Sequence, residues 1–242
     1  MSRTIQALLF DLDDTLYNRN TAFRNWAQAF ARDDLRLAED DPRYQEAIEQ
    51  IIVLDDWGYS SRETLFRKIK EVHPILQGSV DQLLQTYPQR FIEHIRLEEE
   101  TQYLLTALKA AGFPFGIITN GATSRQLHKI QTLGFDQLTS CIFISEHFGY
   151  SKPDSPIFLA AAACLGHETK NILFIGDNPQ KDIWGAYQVG MQTAWLHHQR
   201  EWSVELAETP PDYIIGSLGE LCPLLNISRS PSFSGKEQIS SN

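Results

Sequence analysis

Asp11, Asp13 and Asp14 crowd three carboxylates onto the end of a short apolar run, Ile5-Gln6-Ala7-Leu8-Leu9-Phe10. Residues two apart in an extended chain point to the same side, so Asp11 and Asp13 converge on one small volume. Like charges held this close are costly unless a cation or a proton neutralises them. A hard divalent cation such as magnesium is the usual partner of such oxygen donors. Later apolar runs end in further reactive groups. Thr119-Asn120-Gly121 follows residues 115–118, Lys152 lies in a loop behind residues 141–144, and Asp177-Asn178 follows residues 172–175. A carboxylate that can attack, a second acid, a hydroxyl, an ammonium and another metal-binding carboxylate are the parts phosphoryl transfer requires.

These groups can meet only if their strands end at a common edge. From residue 97 onward, short apolar runs alternate with helical patterns: Leu104, Leu105 and Leu108 up to Gly112, then Leu127, Ile130 and Leu133 up to Gly134. Ser155-Pro156 and Asn178-Pro179 each open another helix, and Ser217 with Glu220 caps a last short one. Two weaker strands lie at 193–196 and 213–215. Strands alternating with helices make right-handed crossovers, hence an α/β fold with a doubly wound, mostly parallel sheet. In such sheets ligands gather at the carboxyl ends of the strands.

Residues 21–96 contain no convincing strand. Phe23, Trp26, Ala27 and Phe30, then Ala47, Ile48, Ile51 and Ile52, recur at helical spacing. Asp41-Pro42 reads as a helix start, and Ser60 with Glu63 as a capping box. The chain therefore divides into a Rossmann-like core at 1–16 and 97–226, a helical insertion at 17–96, and a Ser-rich flexible tail at 227–242.

Asp11-Leu12-Asp13-Asp14-Thr15, Ile118-Thr119-Asn120-Gly121, Ser151-Lys152-Pro153-Asp154 and Gly176-Asp177-Asn178-Pro179-Gln180-Lys181-Asp182 occur in that order, each after a strand. Together they resemble the four motifs of the haloacid-dehalogenase-like hydrolase superfamily, over roughly residues 5–197, and the insertion resembles its helical cap. The resemblance implies a magnesium-dependent phosphatase. Asp11 would form an aspartyl-phosphate, and Asp13 would act as general acid and base. Asp11, the backbone carbonyl of Asp13 and Asp177 would hold the metal. Thr119, the amide of Asn120 and Lys152 would hold the phosphoryl group, with Asp182 supporting the metal or orienting Lys152. A sugar-phosphate mutase could use the same intermediate. A dehalogenase would leave Asp13 and Asp177 unexplained, and the strand order argues against a phospho-receiver domain.

Tyr17, Arg19, Asn20 and Arg24 follow the first strand closely, and Trp57-Gly58-Tyr59 sets two aromatics around a glycine. Tyr17, Arg19, Asn20, Trp57 and Tyr59 are the candidates for choosing the substrate; Trp26 reads as bundle core, and His197-His198 as a surface pair. The substrate is a small phosphorylated metabolite: a nucleotide, a flavin precursor, phosphoglycolate or a sugar phosphate. The acidic balance of the insertion argues mildly against a strongly polyanionic one. A net charge of -10 and the lack of any basic run argue against nucleic acid. The absence of an apolar run near 18 residues argues against a membrane span, so the expected location is cytoplasmic. Cys141, Cys164 and Cys222, an odd number without metal-type spacing, read as buried reduced thiols.

Overall fold

The computed structural model describes residues 4–202 and 204–227. Of the tail expected at 227–242, Ile227 packs against the larger hydrophobic core and its amide donates to the Cys222 carbonyl at 2.9 Å; the rest lies outside the described residues. Six strands form one sheet: β1 (Ala7–Phe10), β2 (Phe115–Thr119), β3 (Ile142–Ile144), β4 (Ile172–Gly176), β5 (Gln192–Leu196) and β6 (Tyr213–Ile215). Their spatial order is β3-β2-β1-β4-β5-β6, and every pairing is parallel. β1 is central, which is why its apolar run is continuous rather than alternating: both of its faces are covered.

The two faces sort the residues of β1 by parity. Leu8 and Phe10 join the larger core, with Leu104, Leu105 and Leu108 of α5 (Glu99–Ala110) and Ile130 of α6 (Thr123–Thr132). Ala7 and Leu9 face the smaller core, with Ile157, Phe158 and Ala161 of α8 (Ser155–Leu165). One turn of helix, α7 (Ser145–Phe148), follows β3 directly where the sequence reads as loop.

Between β1 and α5 lie the four α-helices of the insertion, α1 (Arg19–Asp33), α2 (Pro42–Asp55), α3 (Arg62–Val72) and α4 (Val80–Ile92). Their apolar faces close on Trp26, which is 1% exposed and has the Phe30, Phe66 and Tyr87 rings within 6.0 Å. Asp41 caps α2, with Pro42 in its first turn. The capping box expected on Ser60 is displaced: Ser61 is the cap of α3, its hydroxyl accepting from the amide of Thr64 at 3.1 Å. Ser60 and Ser61 are equivalent by type, and tertiary packing selects between them.

The thiols depart from the sequence reading. Cys141 and Cys164 form a disulfide, with Cα atoms 5.8 Å apart. α8 packs across β2 and β3, and so brings Cys164 beside the residue that precedes β3. That proximity is tertiary, and a separation of 23 residues does not announce it.

Candidate active site

The register of the sheet levels the strand ends. Phe10 pairs with Ile117 on one side and Ile175 on the other, and the amide of Asp11 continues the ladder to the Ile175 carbonyl at 2.9 Å. Asp11 therefore leaves β1 at the height at which β4 reaches Gly176-Asp177 and β2 reaches Thr119. The chain turns next through Asp14, whose φ of 57° is left-handed and whose carboxylate accepts from the Asn20 amide at 3.0 Å.

Lys152 reaches this edge from the loop between α7 and α8. The side chain of Asn120 clamps its backbone: Asn120 Oδ1 accepts from the Lys152 amide at 2.9 Å, and Asn120 Nδ2 donates to its carbonyl at 2.8 Å. The ammonium, thus aimed, lies 2.5 Å from Asp11 Oδ1 and 2.7 Å from Asp182 Oδ1. Asp182 is placed by a π-helical turn, Pro179–Trp184, and its other oxygen accepts from the Asn178 amide at 2.9 Å. Asp177 Oδ2 lies 3.0 Å from Arg200.

The ammonium of Lys152 and the guanidinium of Arg200 do not balance these three acids. Oxygens of Asp11, Asp177 and Asp182 lie within 4.8 Å of one another. Burial, together with the charge of Asp182, pushes the Asp11 carboxyl up to about 7 in spite of Lys152. Burial, then Asp182 and Asp11, likewise raise Asp177 well above the carboxylate range. Burial alone would discharge Lys152, but Asp11 and Asp182 hold its proton firmly. A closely packed set of carboxylate oxygens carrying surplus negative charge fits a hard divalent cation. Within the cluster the third carboxylate is that of Asp182; the side chain of Asp13 points elsewhere.

Asp13 accepts from Lys129 at 2.6 Å and Gln126 at 2.8 Å, and from the Tyr17 hydroxyl. Burial opposes its charge, but Lys129, Gln126 and Tyr17 outweigh that and hold its carboxyl well below the usual range. Gln126 also donates to Thr119 Oγ1 at 2.5 Å, tying the first and second motifs together. Gln126 and Lys129 escape the sequence reading. Their signal is a spacing of three in the helix after Thr119, which puts both on the face toward β1.

Asp11, Asp13, Thr119, Asn120, Lys152, Asp177 and Asp182 all line one cleft of about 820 Å³ between the sheet edge and the helical insertion. Of the residues suggested for substrate choice, Arg19, Trp57 and Tyr59 line it and the other two do not. Tyr17 is 1% exposed, packed beneath Asp13, and Asn20 contributes its amide to the Asp14 turn. Trp57 and Tyr59 are half-exposed, but partners already occupy them: Arg200 lies 5.7 Å from the Trp57 ring, Lys181 4.8 Å from the Tyr59 ring, and Asn178 donates to the Tyr59 hydroxyl at 2.5 Å. Arg24 pairs with Glu49 at the surface. His198 Nε2 lies 2.6 Å from the Asp14 carbonyl, and His197 lies against Trp195. Of the insertion's charged residues, Arg19, Arg62 and Glu63 line the cleft, while Asp33, Glu39 and Glu46 are exposed elsewhere.

Fold and site define an α/β protein with an acid cluster at the carboxyl edge of a parallel sheet. Residues 8–196 match the haloacid dehalogenase-like hydrolase family, to which this chain belongs. It is 30% identical to a glyceraldehyde 3-phosphate phosphatase of Methanocaldococcus jannaschii, over 91% of this chain and 97% of that protein. It is 28% identical to a phosphoserine phosphatase of Thermus thermophilus, over 84% of this chain and 79% of that protein. A magnesium-bound HAD-hydrolase of Bacillus subtilis, whose structure reveals interdomain movement, superimposes with a TM-score of 0.72 at 25% identity, covering 93% of this chain and 100% of that one. Among the described residues no helix is long and apolar enough to cross a membrane.

Proposed function

We propose that this phosphoric monoester hydrolase is a magnesium-dependent phosphatase of a small phosphorylated metabolite, acting through an aspartyl-phosphate on Asp11. The observation that carries the reading is the buried ion pair of Lys152 with both Asp11 and Asp182, lining a cleft that Asp177 and Thr119 also line.

In the first half-reaction a carboxylate oxygen of Asp11 attacks phosphorus, and the bond from phosphorus to the ester oxygen breaks. The leaving alkoxide takes a proton from Asp13. In the second half-reaction Asp13, now a carboxylate, takes a proton from water as the water oxygen attacks the same phosphorus. The bond to Asp11 breaks, and inorganic phosphate leaves. Lys152 and Thr119 bind phosphoryl oxygens throughout, and the Asn120 clamp fixes where the ammonium of Lys152 sits. Asp11, the Asp13 carbonyl and Asp177 would hold the cation, with Asp182 beside them, and magnesium bound there would supply charge neutralisation for the attack on the phosphate. The pairing of Asp13 with Lys129 keeps it ionised, the form that activates water; to protonate the alkoxide it must leave that ammonium. The helices at 17–96 act as the cap that closes over the reaction.

Purified protein should hydrolyse p-nitrophenyl phosphate with magnesium and lose that activity in EDTA, regaining it when magnesium is restored. No hydrolysis of any phosphate ester with metal present would overturn the reading.

A further inference from the structure

The part of the cleft lining contributed by the helical insertion buries positive charge. Arg19 at the start of α1 and Arg62 at the start of α3 both line the cleft, with side chains 9% and 11% exposed. They share one carboxylate, Asp55 at the end of α2, itself 2% exposed. Arg19 grips both oxygens of Asp55, at 2.5 and 2.8 Å, and Arg62 reaches Oδ1 at 2.6 Å. Among the described residues Asp55 is the one carboxylate in contact with either guanidinium, Asp14 acting on Arg19 only at longer range. Two guanidiniums on one contacting carboxylate in a desolvated place are costly without a further counter-anion.

The donors are also only half used. The two guanidiniums carry ten N–H groups. Arg19 donates two, and Arg62 three: to Asp55, to the Ser60 carbonyl at 3.0 Å and to the Tyr87 hydroxyl at 3.3 Å. The rest have no protein partner among the described residues. Aromatic rings stack on the faces of the guanidiniums: Phe23 lies 4.9 Å from Arg19 and 5.6 Å from Arg62, and Tyr87 5.4 Å from Arg62. On Arg19 the backbone of Gly58 also lies close; with φ of +84° and a Cβ that would stand 3.1 Å from Arg19 Cζ, this position suits glycine. Stacking holds the guanidiniums rigid and leaves their in-plane edges, the directions that match an oxyanion. At about 820 Å³ the cleft is far larger than a phosphoryl group needs.

We infer that Arg19 and Arg62 form an anchor for a second oxyanion, so that the substrate is a phosphomonoester bearing a further carboxylate or phosphate. The inference rests on the phosphatase reading above and narrows it to a substrate class.

The test compares kcat/KM, with magnesium, for 3-phosphoglycerate, glycerol 1-phosphate and a short-chain bisphosphate: a carboxylate, a neutral end and a second phosphate. The wild-type protein should favour one of the anionic esters over glycerol 1-phosphate by about tenfold or more, and the arm that wins identifies the oxyanion. Arg62→Gln should collapse that ratio, mainly through KM of the anionic ester, and Arg62→Lys should restore part of it. Arg125 lines the cleft from α6, and Arg125→Gln should leave the ratio intact. Equal kcat/KM for charged and neutral esters overturns the inference, and so does a ratio that follows Arg125 instead of Arg62. An equal fall on every ester in Arg62→Gln reduces Arg62 to a structural part and also overturns it. Failure to hydrolyse any ester would instead overturn the phosphatase reading. If Arg62→Gln melts too low to assay, the wild-type panel alone decides.

Discussion

The sheet edge and the helical insertion bury charge of opposite sign by opposite means. At the edge, the three carboxylates of Asp11, Asp177 and Asp182 meet two cations, Lys152 on Asp11 and Asp182 and Arg200 on Asp177. In the insertion, Arg19 and Arg62 surround one carboxylate, that of Asp55. Each cluster is one partner short. Buried ions persist at a surplus where something that binds supplies the missing charge. A cation completes the first cluster and an anion the second, and a metal-bound phosphate ester with a second acidic group would satisfy both at once.

If the edge holds the reaction and the insertion only selects, removing charge has very different consequences in the two places. Asp11→Asn should abolish turnover of every ester, a loss of roughly 10⁴-fold or more in kcat, as for removal of other enzymic nucleophiles. No phosphoryl-enzyme should then be trapped on acid quench. An Asp11→Asn protein with a kcat within tenfold of wild type would place the attacking group elsewhere.

The two regions also differed in how far the sequence revealed them. Asp11, Thr119 and Asp177 each end an apolar run, and a parallel sheet brings such ends together whatever lies between them. Local pattern plus one topological rule was therefore enough to find the edge. Arg19, Asp55 and Arg62 belong to three different helix ends, and nothing local to any of them names the other two. Gln126 and Lys129 stood on a legible helix, but their target, Asp13, lies more than a hundred residues earlier, at separations of 113 and 116. The disulfide between Cys141 and Cys164 was hidden for the same reason, since α8 must pack before the two meet.

Stability should separate the regions again, with opposite sign. Asp55→Asn leaves two buried guanidiniums with no anion, and should destabilise the fold by about 3–5 kcal/mol. Asp177→Asn removes one of three crowded carboxylates, so in EDTA its midpoint should match or exceed that of wild type. Urea denaturation of both, without metal, reads the contrast directly. Equal losses in the two variants would mean that the edge is not charge-frustrated.

The mildest effect follows from the proton that Asp11 retains. Burial and Asp182 lift its folded-state carboxyl to about 7, far above its unfolded value. Between those two values the folded, metal-free chain binds more protons than the unfolded one, so its stability falls as pH rises from about 4 to 7. Magnesium must displace the same proton. Its affinity should therefore weaken by at least about tenfold per unit as pH drops below 7, since Asp177 holds a raised carboxyl as well. The gain in Tm on adding magnesium should be larger at pH 8 than at pH 5.5, and titration calorimetry in two buffers of different ionisation enthalpy should register the released proton. An affinity independent of pH over that interval would show that the cation does not engage Asp11, and the likeness between an edge awaiting a cation and an insertion awaiting an anion would lose its first half.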